Sequence, residues 1–137
     1  LVSFDDTATL EHPLSRNEAT LLNAINALQL GSLTRMDLGL QTARLELTGI
    51  RHDPDNQMVI IFLTDGHPNG TTETQVLTQA TLAKDAGITI YTIGLGPDIN
   101  ATLLQNVASN PAYYYPSPST GDLNAIYQQI ASSFACR

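Results

Sequence analysis

The segment that most restricts the fold of this chain is a run of six large apolar residues, Met58-Val59-Ile60-Ile61-Phe62-Leu63, which ends at Thr64-Asp65-Gly66. Such a run, rich in β-branched residues and without polar alternation, is typical of a strand covered on both faces, as in a parallel sheet flanked by helices. Parallel sheets carry their ligand sites just beyond the carboxyl ends of their strands. Asp65, followed by a glycine that allows a sharp turn, is therefore a candidate functional residue, although Asp and Gly are also common turn residues.

Strand and helix patterns alternate along the rest of the chain. Strands are predicted at Leu1–Phe4, Thr7–Leu10, Met58–Leu63, Ile88–Ile93 and Ala112–Tyr115, with Gly94-Leu95-Gly96-Pro97 turning away from the fourth and Pro116 and Pro118 stopping the last. Amphipathic spacing predicts five helices. The first is opened by a Ser15–Glu18 capping box, and its apolar face consists of Leu21, Leu22, Ile25 and Leu28. The other four contain Met36–Leu47, Val76–Ala83, Leu103–Val107 and Leu123–Phe134.

This alternation predicts the fold class. Strands that alternate with helices of this length require crossover connections and a parallel sheet. We therefore expect an α/β fold, in which a three-layer, Rossmann-like arrangement places helices on both faces of a mostly parallel sheet. Met58–Leu63 and Ile88–Ile93 are predicted to be adjacent, parallel strands buried on both faces. The length of 137 residues and the 42% hydrophobic content suit a single domain over residues 1–137.

The composition argues against some partners. The net charge is −7, and Lys84 is the only lysine beside thirteen acidic residues, so nucleic acid is a poor candidate ligand. The apolar runs are too short to cross a bilayer. Cys136 is the only cysteine, and it is predicted to be either a buried thiol or half of a disulfide whose partner lies outside this sequence.

Three motifs carry a resemblance to a known family. They are, in order, Gly31-Ser32-Leu33-Thr34-Arg35-Met36-Asp37-Leu38-Gly39-Leu40, the apolar strand that ends at Thr64-Asp65-Gly66, and Ile90-Tyr91-Thr92-Ile93-Gly94-Leu95-Gly96. In this order they resemble the von Willebrand factor type A (VWA) domain. The resemblance covers essentially the whole chain, and Leu1–Leu10 is similar to the second strand of that family and the edge strand after it.

The resemblance implies a metal-ion-dependent adhesion site, or MIDAS. In that family a divalent cation, usually Mg²⁺, is held by a DxSxS segment after the first strand, by a loop threonine and by an aspartate after the fourth strand. Thr34 matches the threonine and Asp65 matches the aspartate, so both are predicted metal ligands, for Mg²⁺ or Mn²⁺. Hydroxyl and water-bridged ligands leave such an ion able to attract a carboxylate from a protein partner. The implied function is cation-dependent, non-catalytic protein binding, at an extracytoplasmic, secreted or cell-surface location.

One part of the family pattern is missing, because the sequence contains no DxSxS segment. We therefore expect the family's first strand and first helix to precede Leu1, so that this chain is a VWA fold without them. The Leu1–Phe4 and Met58–Leu63 strands should then be separated by an empty strand width of roughly 9–10 Å, or make a pairing foreign to the family. The full-length parent is then expected to hold Mg²⁺ or Mn²⁺, whereas binding by Thr34 and Asp65 alone should be weak or absent.

Three alternatives stay open at this point. Asp65 could be the nucleophile of a phosphotransfer or hydrolase domain, although such an enzyme needs a second carboxylate and a basic residue nearby, and position 67 is a histidine. The chain could be a metal-free, degenerate VWA scaffold. Thr34 could simply be the N-cap of the helix that begins near Met36. Zinc is not expected, because His12, His52 and His67 share no ligand spacing.

Overall fold

A computed structural model describes residues 1–29, 31–117 and 119–134; Cys136 lies outside this part of the chain. Short 3₁₀ turns at Pro111–Tyr113 and Thr120–Asp122 lie beside the last strand and the last helix. The strands are β1 (Val2–Phe4), β2 (Ala8–Leu10), β3 (Val59–Thr64), β4 (Thr89–Leu95) and β5 (Tyr114–Ser117), and the helices are α1 (Glu18–Asn26), α2 (Met36–Leu47), α3 (Glu73–Asp85), α4 (Ala101–Val107) and α5 (Leu123–Phe134).

The described strands form two separate sheets. β1 and β2 make an antiparallel hairpin, whereas β3, β4 and β5 form a parallel sheet in that order. The register pairs Val59 with Thr89 and Thr64 with Gly94, so the predicted adjacency of the two long apolar strands is confirmed. Gly94 therefore lies inside β4 rather than in the predicted turn. Pro116, predicted to stop the last strand, is part of β5, because that strand is at the sheet edge, where a residue without an N–H is tolerated.

Helices cover both faces of the parallel sheet, which confirms the predicted α/β fold class. Helices α2, α3 and α4 pack on one face, where Ile60, Phe62 and Ile90 join their apolar side chains in one core cluster. Helix α5 packs on the other face, where its residues Ile126 and Ile130 form a second cluster with alternate residues of β4. The sheet is thus the middle layer of three.

Burial along β3 differs from the prediction. Strand β4 is buried on both faces, but β3 buries fully only Ile60, Phe62 and Thr64. Its other face is half-buried at Val59 and Leu63, and Ile61 is 37% exposed. The prediction of burial on both faces is therefore wrong for β3, and the reason is topological: β3 is an edge of its sheet, so α5 covers it only in part.

An apolar groove of about 440 Å³ lies between the hairpin and the parallel sheet, and we call it the inter-sheet groove. Five consecutive residues, Val59–Leu63, line it, so it follows the edge of β3 rather than one face; Leu1, Val2 and Phe4 line the opposite wall. The rings of Phe4 and Phe62 stack with centroids 4.9 Å apart and hold the two sheets beside each other. In the described residues β1 and β3 thus do not pair with each other, as expected. The width of the gap between them stays a prediction.

Helix α1 differs from the prediction in both its start and its burial. Its N-cap is Asn17, whose side-chain oxygen accepts from the Thr20 N–H, while Ser15 accepts from the Asn17 N–H and so lies outside the helix. None of the α1 residues is buried, and Leu22, Ile25 and Leu28 are 39–49% exposed. The apolar face predicted from spacing exists, but no described element covers it.

Candidate metal centre

Asp65 follows β3 directly, at the carboxyl edge of the parallel sheet. Its side chain is exposed and makes no hydrogen bond or ion pair with the part of the chain that the structure describes. Next to it, the Thr64 hydroxyl is buried and accepts a hydrogen bond from the Gly66 N–H at 3.4 Å. A Cβ on Gly66 would meet no atom within 4 Å, and φ of this residue is not positive, so the turn does not require glycine there.

Thr34 is brought to the same edge by a backbone bridge. Its N–H donates to the Asn69 carbonyl at 3.3 Å, and the Asn69 N–H donates to the Thr34 carbonyl at 3.2 Å. Asn69 lies in the loop of residues 66–72, which begins just after Asp65, so the two predicted ligands are on directly connected loops. The N-cap of α2 is Arg35, and the Thr34 hydroxyl makes no capping bond, so the N-cap reading of Thr34 is wrong. That hydroxyl has no partner among the described residues.

Gly70 allows these two loops to approach each other. Its φ is +74°, in the left-handed region that favours glycine. A Cβ at this position would lie 3.0 Å from Leu33 Cδ1 and 3.1 Å from Arg35 Cδ, so both of these side chains would have to shift to admit it. The Asn69–Gly70 backbone is therefore packed against the residues on either side of Thr34.

A partly buried ion pair follows Thr34 in the sequence. Arg35 Nε donates to Asp37 Oδ1 at 3.0 Å and Arg35 Nη2 donates to Oδ2 at 2.9 Å, while Asp37 itself is only 7% exposed. Hydrogen bonds from Arg35, supported by the Leu38 N–H and the Thr71 hydroxyl, hold the pKa of Asp37 below its ordinary value despite burial, which acts the other way. Asp37 was not among the predicted functional residues; its one signal in the sequence is an acidic residue two positions after an arginine at a helix start.

Two further polar residues lie at this edge. His67 Nε2 is 3.7 Å from Asp98 Oδ1, and both side chains are largely exposed, so this contact is an ion pair only when the histidine is protonated. Asp98 follows β4 as Asp65 follows β3. Within the described residues no three His, Cys, Asp or Glu side chains are grouped closely enough to hold a metal ion.

The chemistry of the donors fits a hard divalent cation. Thr34 offers a hydroxyl oxygen and Asp65 a carboxylate, neither of which has a competing partner within residues 1–29, 31–117 and 119–134, and oxygen is what Mg²⁺ and Mn²⁺ prefer. Mg²⁺ prefers six oxygens in octahedral geometry, so these two residues can supply only part of the coordination sphere. The pair therefore fits an ion that keeps most of its water.

The same surroundings disfavour phosphate chemistry at Asp65. Lys84 lies at the carboxyl end of α3, where its Nζ donates to the Asn106 carbonyl at 2.7 Å, away from the carboxyl edge. Arg35 is close to Thr34, but its guanidinium is committed to Asp37. Described cations near Asp65 are thus not free to hold a transferring phosphoryl group.

Comparison with known proteins identifies the family, because residues 1–129 match the von Willebrand factor type A domain. The chain belongs to this family. Proximal thread matrix protein 1 from the mussel byssus, in a structure with a zinc-occupied MIDAS motif, superimposes on this VWA chain with a TM-score of 0.82 at 29% identity, over 96% of this chain and 33% of that one. The VWA domain of the type V pilus tip protein Mfa5 from Porphyromonas gingivalis has the same fold, with a TM-score of 0.81 at 15% identity, and covers 96% and 77% of the two chains.

Curated relatives are much longer than this chain. Mouse matrilin-1 is 34% identical over 119 residues, which are 81% of this VWA chain and 23% of matrilin-1. A Synechocystis protein without assigned function is 29% identical over 112 residues, 80% of this chain and 26% of its own length. The chain therefore spans about a quarter of the relatives it matches. Among the described helices, none combines the length and apolar character needed to cross a membrane.

Proposed function

We propose that this chain is a non-catalytic protein-recognition module whose binding depends on a divalent cation, Mg²⁺ or Mn²⁺, at the carboxyl edge of β3. Thr34 and Asp65 contribute two oxygen ligands, and a protein partner contributes a carboxylate at a position otherwise occupied by water. The observation that carries this proposal is the Thr34–Asn69 backbone bridge, which connects the loops of two oxygen donors that have no partner in the part of the chain that the structure describes.

The charge of the proposed site explains why a partner carboxylate would bind. One carboxylate and one neutral hydroxyl neutralise only half of the charge of a divalent ion, so the bound ion keeps a net positive charge. An acidic side chain of a partner can then complete the coordination sphere, whereas the protein surface around it, with a chain net charge of −7, repels the same group without the ion. Binding should therefore require the cation.

The relatives support this proposal in two respects. A zinc-occupied MIDAS in the mussel protein supports a divalent cation in the matching part of this chain, although the preference for Mg²⁺ or Mn²⁺ rests on the donor chemistry. A thread matrix protein and a pilus tip protein among the structural neighbours support an extracytoplasmic location. We favour binding over phosphotransfer or hydrolysis because the described basic groups near Asp65 are already engaged.

The first prediction concerns cation binding. Replacing Asp65 with alanine should weaken Mn²⁺ binding at least tenfold, and Thr34→Ala should weaken it less, because a charged ligand contributes more than a neutral one. Neither change should alter the thermal midpoint appreciably, since Asp65 is exposed and the Thr34 hydroxyl makes no described contact. Affinity can be measured by water-proton relaxation with Mn²⁺, and competition with Mg²⁺ shows whether both ions share the site.

Asp98→Ala is the matched control, because it removes a carboxylate from the same edge that is not a proposed ligand. Equal losses in the Asp65→Ala and Asp98→Ala variants would mean that the edge attracts cations only through its general charge. An acidic peptide should bind the Mn²⁺-loaded chain and be released by a chelator. Peptide binding that survives the chelator would contradict the proposed role of the ion.

A further inference from the structure

We propose that Asp37 is the positioning residue of this site: it does not touch the cation, but it holds the Thr34 loop against the loop of residues 66–72. This inference deepens the proposed function, because it concerns the same site. The observation behind it is that this carboxylate binds the Arg35 guanidinium with both oxygens, and that the Arg35 side chain in turn packs against Gly70 of the opposite loop.

The contact with Arg35 fixes the loop that carries Thr34. Both Asp37 oxygens accept from the same guanidinium, at 3.0 and 2.9 Å, and a two-bond contact of this kind restricts rotation as well as distance. The stem of the Arg35 side chain, held in this way, lies against Gly70. The Arg35 N–H also donates to the Asp5 carbonyl at 3.0 Å, so the residue after Thr34 is restrained at both its backbone and its side chain.

The opposite loop is contacted through the Arg35 side chain. An ideal Cβ on Gly70 would lie 3.1 Å from Arg35 Cδ, so the Gly70 backbone packs closely against the stem that Asp37 holds. The next residue, Thr71, has its hydroxyl 3.2 Å from Gln75 Oε1, within the capping box that begins α3. The Thr34–Asn69 bridge joins the residues next to Arg35 and Gly70, so its two hydrogen bonds depend on the Arg35 position that Asp37 fixes.

A simpler reading is that Asp37 stabilises only its own helix, as an acidic residue in the first turn. That role needs neither burial nor specific partners, and it is also filled by Glu18 in α1, which is exposed. Burial to 7% exposure together with a two-bond arginine contact is costly unless the partners stay in place. The geometry thus points to a connecting role that Glu18 does not have.

The test is amide hydrogen exchange measured by NMR without added metal. In the Asp37→Asn variant the Thr34 and Asn69 amides should exchange at least tenfold faster than in the wild type, while the Ile90–Ile93 amides of β4 keep their rates. Arg35→Lys should give an intermediate effect, because it keeps the charge and loses the paired geometry. Glu18→Gln is the control for the helix-dipole effect and should leave both amides unchanged.

Two outcomes would overturn the proposal. Unchanged exchange at Thr34 and Asn69 would show that the bridge does not depend on Asp37, and equal acceleration throughout β4 would show a loss of general stability only. Because this readout needs no cation, it is independent of the Mn²⁺ titration of Asp65→Ala. If Asp65→Ala leaves Mn²⁺ binding unchanged while Asp37→Asn accelerates exchange at Thr34 and Asn69, the proposed function is wrong and the positioning role of Asp37 still holds.

Discussion

Glu46 is a nearly buried carboxylate whose ionised form is stabilised by specific partners. Arg51 Nε donates to Oε1 at 2.8 Å and its Nη2 contacts Oε2, while the Leu14 N–H donates to Oε1 at 2.8 Å. The hydrogen bonds from Arg51 are the main cause that lowers the pKa of Glu46 to about 2. These contacts attach the segment after β2 to the end of α2, and they should contribute to stability only while Glu46 is charged.

The Glu46→Gln variant should therefore be less stable at neutral pH. We expect a loss of about 1–2 kcal/mol in the free energy of unfolding, a value reduced because Arg51 is 47% exposed and screened by solvent. A lowered folded-state pKa gives stability that is complete above about pH 4.5 and lost as the pH falls towards 2. Urea unfolding at pH 7 and pH 3 should accordingly show a larger difference between variant and wild type at pH 7.

Glu11→Gln is a suitable control for this measurement. Glu11 is exposed, and among the described residues its carboxylate accepts only from the Ser3 hydroxyl, so its replacement should change stability little at either pH. A difference between Glu46→Gln and wild type that stays constant from pH 7 to pH 3 would mean that the charge of Glu46 is not what stabilises the fold.

Among the elements, β3 is the strand whose backbone edge is most open to pairing with another chain. It is an edge strand with five consecutive apolar residues followed by Thr64, and one side of its backbone is unpaired in the described structure. Such edges pair readily with other chains unless a charge, a proline or a covering element prevents it. In β3 none of its six residues is charged or proline.

We predict that this chain self-associates through β3 at high protein concentration. Ile61→Lys should suppress the association, because a lysine at the edge of a strand disfavours intermolecular pairing. Leu82→Lys is the matched control, since Leu82 is similarly exposed, at 43%, but lies on α3. Sedimentation velocity over a concentration series distinguishes the two; equal suppression by both substitutions would point to general hydrophobic association rather than edge pairing.

At the scale of the whole molecule, apolar patterns predicted the arrangement of strands and helices better than the residues at which these elements begin and end. The runs around Ile60 and Ile90 have no polar alternation, and this sufficed to predict adjacent parallel strands. Local chemistry was less decisive at Ser15, because Asn17 offers a competing cap two residues later. Gly94 was predicted to turn, but it lies in β4 and pairs with Thr64; the close approach of Ile99 Cδ1, 2.5 Å from where a Cβ would lie, accounts for a glycine at this strand position.

The candidate site was predictable only in part. Thr34 and Asp65 could be selected from their order in the sequence, and the structure places them on connected loops, although their role as ligands stays a prediction. The contacts that connect those loops could not be predicted, because Arg35 and Gly70 are far apart in sequence and meet only through the packing of α2 against α3. Short-range patterns do not contain this information.

The division into two sheets also has a consequence for how the native state opens. The β1–β2 hairpin has only three residues in each strand and is attached mainly by α2 and the Phe4–Phe62 stack, whereas β3–β5 has a core on both faces. Hairpins of this size have little stability of their own, so the hairpin should form a separate, low-energy unfolding unit. Native-state exchange in low denaturant should release the Val2–Leu10 amides before those of β4, and simultaneous release would contradict this. Because the Asp5 carbonyl accepts from the Arg35 N–H, each such opening would also release one support of the Thr34 loop.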